Sequence, residues 1–248
     1  MLAVTTVQLA TNASTSATSR SSEDAFGDPV RRRLRGTYGY LAAGLAGTAA
    51  GAALMFRSGI AYRLMSMNPI VVGIGSLAGL MGTMWLTQSI NYHESPMAKH
   101  LAFAGFVGMQ SLMMAPLTVL GGPLLLRAAI ATGSIVGAIS LTAATAPSQS
   151  YLSLTGPLNI GMGLMFGASL GSLFFPGAGF LYSIVLYGGL ALHGGLIFAR
   201  TQALIDQAER RPTALYDPIN DCLGIYIDSL AIFWRMAMIM SGGSSRKK

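Results

Sequence analysis

Charged side chains are scarce in this chain: Asp, Glu, Lys and Arg together make up 10% of its 248 residues, against about 25% in an average soluble domain. A chain that can put so little charge on its surface is fitted to lipid rather than to water. Cysteine is nearly absent as well, and the single Cys222 excludes an intrachain disulfide. There is no His/Cys cluster, no HExxH, no nucleophile elbow and no phosphate loop, so the sequence offers little support for catalysis and implies no cofactor. The excess of 16 basic over 9 acidic residues lies mostly at loops and ends. Basic flanks of membrane spans produce such an excess through topology and contact with lipid headgroups, so membrane lipids are expected as partners and nucleic acid is not.

What is present in abundance is apolar: 52% of the residues are hydrophobic, with 31 glycines and 15 methionines. Small residues let membrane helices approach closely, and methionine fills irregular gaps. From Thr37 onward, apolar runs of lipid-spanning length recur with short breaks. Seven are expected to cross the bilayer: Thr37 to Phe56, Pro69 to Ile90, Leu101 to Leu120, Pro123 to Thr145, Leu152 to Phe175, Gly177 to Ala199 and Ile219 to Met240. At about 1.5 Å per residue each reaches across a hydrocarbon core of about 30 Å. Helices satisfy their own backbone groups in lipid, and the alternation of a membrane barrel is missing, so the expected fold is an all-α seven-helix bundle. GGP at Gly121 to Pro123, APSQS at Ala146 to Ser150 and FPG at Phe175 to Gly177 supply turns. TQALIDQAERR is expected to extend the sixth helix past the bilayer, and Pro218 to open the seventh, where its missing N–H is not needed.

Residues 1–36 are expected to form a polar tail, rich in Ser, Thr, Ala and Asn and closing on RRRLR at Arg31 to Arg35. Its hydroxyl-rich, acid-poor first part is transit-like, and no long apolar region marks a secretory signal. The sequon at Asn12 is short enough to arise by chance. Residues 37–240 make the membrane domain, and 241–248 a basic C-terminal tail. With seven crossings, nine of the sixteen basic residues fall on the N-terminal side, a small bias that places the N-terminus inside. Glycines four apart, at Gly163, Gly167 and Gly171, Gly47 and Gly51, and Gly75 and Gly79, read as helix-packing stripes.

The last helix carries the most information. Asp221, Asp228 and Arg235 are spaced seven apart, so they drift only about 20° per step and share one face. A charge at mid-membrane costs roughly 2.5 to 3.5 kcal/mol on insertion scales, so Asp228 should be paired, protonated or hydrated. The plain structural reading is a buried ion pair fixing helix register, with Asp221 and Arg235 near the ends reaching headgroups. Arg127, His193 and Arg200 are the other polar candidates. Arg127 and Arg200 can snorkel to an interface, and a lone His193 among apolar neighbours reads as hydrogen-bonded packing.

Several stretches together carry a resemblance: APLTVLGGPLLLRAA, YSIVLYGGL, ALYDPIND and IYIDSLAIFWRMA, with SPMAKHLAF and RGTYGYLA upstream. They resemble the mitochondrial branch of the Bax inhibitor family, over roughly Val30 to Lys248. The resemblance implies a seven-helix bundle in the inner mitochondrial membrane, associated with calcium and proton movement, cristae organisation and protection from apoptosis. It also implies a pair of aspartates sharing a proton as the cation gate, one in the central last helix and one near the end of the sixth. Asp228 matches the former through YIDSLxIF. At the latter position, directly before TQ, this chain has Arg200.

That exchange replaces a titratable acid by a permanently charged donor. Calcium needs six to eight oxygen ligands, and a guanidinium in the same space repels it. Calcium is therefore a poor fit to this position, with Asp228 at best able to hold it. An Arg200–Asp228 ion pair is expected, locking the bundle closed with weak or absent conduction. Asp206 cannot replace the lost acid without a six-residue shift that turns it about 120° away. Asp221 offers a displaced carboxylate about 10.5 Å along the same face. Two readings follow: a cation or proton path through Asp228, assisted by Asp221 or His193, or a non-conducting accessory subunit of a larger inner-membrane complex such as a respiratory one.

Overall fold

The computed structural model describes residues 27–146, 150–174, 179–211 and 215–245. The transit-like segment, the Asn12 sequon and the final basic residues lie outside them. The described elements are all helical: α1 (Asp28–Arg57), α2 (Ile60–Ser66), α3 (Pro69–Ser89), α4 (Pro96–Met114), α5 (Gly122–Thr145), α6 (Ser150–Phe174), α7 (Gly179–Ser183), α8 (Gly189–Arg210) and α9 (Pro218–Ser245). A 3₁₀ turn (Ala115–Leu120) extends α4, and a π-helical turn (Ile184–Gly188) joins α7 to α8. Among the described residues six helices are long and apolar enough to cross a membrane. The expected fifth span coincides with α6, which is 25 residues long.

The last helix takes the centre, although Asp221, Asp228 and Arg235 make it less apolar than several of its neighbours. Ile219, Leu223, Ile225, Tyr226 and Ile232 of α9 are almost fully buried, packed with Leu41 of α1, Phe103 and Phe106 of α4, Val136 of α5 and Ile197 of α8. α3 lies at the periphery against α4 and exposes Ile70, Ile74, Leu77, Met81 and Trp85. With lipid as the solvent, these faces are as satisfied as a polar face in water.

Helix boundaries differ from expectation at both ends. α1 begins at Asp28, nine residues before the apolar run, because Val30 packs with Leu34 on Ile205 and Ala208 of α8 while Arg31, Arg32 and Arg35 stay exposed. Three arginines of the cluster thus form the exposed stripe of a helix, while Arg33 is buried. α9 runs on to Ser245, whereas α8 continues through the charged sequence to Arg210 as expected. Pro218 opens α9 as expected, and Gly121 turns the chain at φ +94°.

The glycine stripes divide. A methyl group on Gly51 would lie 2.4 Å from Ser111 Oγ, and one on Gly47 3.1 Å from Val107, so this pair seats α1 on α4. Gly163 and Gly167 face open space, and it is Gly161 that meets Leu192 of α8. Spacing alone predicts a groove and does not say which groove is filled.

Candidate functional site

α8 and α9 together hold the charged centre. His193 and Arg200 are seven residues apart on α8, two turns on one face, and Asp228 of α9 stands opposite them. Arg200 Nε donates to Asp228 Oδ2 at 2.9 Å, and His193 Nδ1 lies 2.8 Å from Oδ1. The carboxylate is 2% exposed as a residue, so both oxygens are fully committed inside the protein. The pairing expected from the sequence is present, and His193 joins it directly.

Glycines make room for these long side chains. Gly224, one turn before Asp228, lies beneath the Arg200 guanidinium: a methyl group there would fall 2.2 Å from Nη1. Gly189 of α8 does the same for Arg235, whose Nε would be 2.2 Å away. Each helix therefore offers a bare backbone patch to an arginine from the other. Arg235 Nε donates to Val185 O at 3.2 Å and Nη1 to Ala231 O at 2.9 Å. This corrects the expectation that Arg235 reaches headgroups: the π-helical turn presents the Val185 carbonyl, and the guanidinium turns inward to it.

The remaining candidates are apart from this centre. Asp221 lies two turns towards the start of α9, half-buried and without a side-chain hydrogen bond or ion pair among the described residues, and it does not approach Asp228. Asp206 pairs with Arg210 at 2.7 Å, one turn along α8. Arg127 is exposed near the start of α5, as a snorkelling residue would be. No group of three or more His, Cys, Asp or Glu suited to a metal occurs among the described residues.

A second ionic cluster, which the sequence reading passed over, lies at the helix ends. Lys99 is 0% exposed, and its Nζ donates to Thr87 O (2.6 Å), Ile90 O (2.9 Å) and Asn220 Oδ1 (2.8 Å) while pairing with Asp217 Oδ2 at 2.8 Å. The two carbonyls close the C-terminus of α3, where the helix dipole favours a cation. Asp217 Oδ1 accepts from the N–H groups of Ile219 and Asn220 and so caps α9. One ammonium thus ties the end of α3 to the start of α9. Asp-Pro before an apolar run is a helix-start signature, so Asp217 was within reach of sequence reasoning; Lys99 was not.

Tyr216 completes this end. Its hydroxyl donates to Arg33 O at 2.7 Å and lies 3.0 Å from Thr37 Oγ1, over Gly36, where a methyl group would fall 2.5 Å from the Tyr216 oxygen. Arg33 stacks over the ring, 5.4 Å from its centroid, and donates through Nη2 to Arg211 O. Burial raises the Tyr216 hydroxyl above its ordinary value.

These features define a polytopic helical membrane protein built round a last helix that carries a paired acid. A family model described as "Inhibitor of apoptosis-promoting Bax1" matches residues 30–246, and the chain belongs to the Bax inhibitor-1 family. It is 42% identical over 226 residues to the growth hormone-inducible transmembrane protein of Rattus norvegicus, covering 88% of this chain and 65% of that protein. The chain thus spans just under two thirds of that relative's length. It is 32% identical over 193 residues to Bax inhibitor 1 of Bos taurus, covering 76% of this chain and 80% of that one, and 29% identical over 193 residues to Bax inhibitor 1 of Homo sapiens. No solved structure matches.

Proposed function

We propose that this chain is an inner mitochondrial membrane protein in which the cation and proton path of its family is held shut at Asp228. The observation that carries the reading is the occupation of both carboxylate oxygens, by Arg200 Nε at 2.9 Å and His193 Nδ1 at 2.8 Å. A cation entering would have to displace a guanidinium that never deprotonates, and would then find one carboxylate where calcium needs six to eight oxygens. The reading assigns the chain no catalytic chemistry and no bound cofactor. Its role in cristae organisation and in restraining apoptosis follows the family and not this geometry.

Calcium flux into liposomes containing the purified full-length chain tests the lock. The expected result is little flux from wild type and a leak from Arg200→Asp, which restores a second acid opposite Asp228. Strong wild-type flux abolished by Asp228→Asn would overturn it. A second reading, a non-conducting accessory subunit of a larger inner-membrane complex, rests on the same Arg200–Asp228 pair, which leaves the chain without an open path. Native-gel migration with a much larger complex supports that reading; migration of the endogenous protein alone removes it.

A further inference from the structure

Arg200 is only half used. Its Nε holds Asp228, but Nη1 and Nη2 make no hydrogen bond among the described residues, and the side chain is 47% exposed. The open edge borders a cavity of about 230 Å³ between α6 and α8, which Asn159 and Thr155 of α6 line together with Leu158 and Leu196. The Asn159 amide is likewise without a partner among the described residues, although it sits nine residues inside a membrane-length helix. Asn159 is exposed like Arg200, and two polar groups turned to one opening in a lipid setting call for a polar occupant.

The charge balance indicates the sign of the occupant. Asp228 lies within electrostatic reach of two permanent cations, Arg200 and Arg235. Asp221 does not compensate, since the charges acting on it are those of Arg33 and Asp217 at the other cluster. The centre therefore holds two guanidiniums to one carboxylate. A guanidinium edge presents parallel N–H donors matched to a phosphate, and an amide beside it adds another donor. Leu158 and Leu196 line the same cavity with apolar surface, suited to the acyl region of a lipid.

We propose that the α6–α8 cavity is a binding site for the phosphate of an anionic membrane lipid, received by the free edge of Arg200 and by Asn159. The site stands on this geometry alone and holds whether or not the chain conducts. The lipid phosphate meets Nη1 and Nη2 while Nε remains on Asp228, so the bound lipid completes the neutralisation of the centre.

The test is native mass spectrometry of the purified full-length chain offered phosphatidic acid and phosphatidylcholine in equal amounts. Wild type should retain phosphatidic acid preferentially, and Arg200→Gln should reduce retention about tenfold, the equivalent of one charge-assisted contact. Asn159→Leu removes only the amide and Ala203→Phe fills the cavity; both leave the ion pair intact and should lower retention about threefold or more, by roughly the net worth of a single hydrogen bond. These two variants keep the proposal exposed if Arg200→Gln does not fold. Equal retention by wild type, Asn159→Leu and Ala203→Phe would overturn the site, because lipid held by the exposed arginines of α1 does not respond to either change. Displacement of phosphatidic acid by excess inorganic phosphate would overturn the lipid assignment in favour of a soluble phosphate.

Discussion

Two ion pairs anchor α9, one enclosed and one half open, and they are built differently. At its start, the Lys99 ammonium is enclosed with four acceptors, and Asp217 divides its two oxygens between that ammonium and the α9 cap. Ten residues into the helix, the Arg200 guanidinium gives one nitrogen to Asp228 and leaves its other edge at a cavity. The first pair is saturated, so nothing can enter without dismantling helix ends. The second is saturated only on the acid side, which suits a contact that holds one partner and remains available to another. Burial of a charge pair alone does not mark function; the donors left over do.

Breaking the saturated cluster should therefore cost most. Lys99→Met removes the ammonium, leaves Asp217 uncompensated and frees the carbonyls that end α3, and loss of one partner of a buried pair costs about 3–5 kcal/mol. Asp217 keeps 21% side-chain exposure, so the lower part of that range is expected, read as a fall in unfolding free energy in detergent. Asp228→Asn should cost less, about 1.5–3 kcal/mol for a hydrogen bond to a charged group, because Arg200 can turn its freed edge into the cavity. If Asp228→Asn proves the more damaging change, the contrast between a closed and an open pair collapses.

How far the sequence disclosed this contrast depends on what kind of signal each element leaves. Lipid-length runs of apolar residues revealed the helical class and the approximate spans, because the bilayer imposes length directly. Asp228 stood out since a lone acid in such a run needs a partner, and the substitution at Arg200 supplied one. Lys99 left no such mark: a lysine just inside a helix after Ser95-Pro96 looks solvated, and only the tertiary approach of the ends of α3 and α9 encloses it. The start of α1 was hidden because arginines at 31–33 and 35 mask the inward spacing of Val30 and Leu34. Arg235 turns inward on account of a π-helical turn, for which local sequence gives no rule.

Gly224→Ala separates stability from the open edge. Alanine is favoured over glycine in a helix by about 1 kcal/mol, while its methyl group would collide with Arg200 Nη1, a flexible end that can move. The two effects oppose, so unfolding free energy should change by less than about 1 kcal/mol. Retention of phosphatidic acid should nonetheless shift from the wild-type value as the guanidinium is displaced. A variant that is strongly destabilised would show instead that Arg200 cannot move, which would make its site as rigid as that of Lys99.

Tyr216 gives the most graded probe of the saturated end. Tyr216→Phe keeps the ring beneath Arg33 but deletes the hydroxyl that reaches Arg33 O and Thr37, and a net loss of about 0.5–1.5 kcal/mol is expected for such a bond. The hydroxyl also predicts a pH response. Because burial raises its folded value above that of the unfolded chain, the folded state favours the protonated form. That contribution is present in full below the unfolded value of about 10 and is lost as pH rises through the folded one. Wild type should therefore lose stability on the alkaline side more steeply than Tyr216→Phe, so the gap between them narrows as pH climbs above 10. Parallel alkaline curves would mean that the hydroxyl already meets water, and that the cluster around Lys99 is less closed than its hydrogen bonds imply.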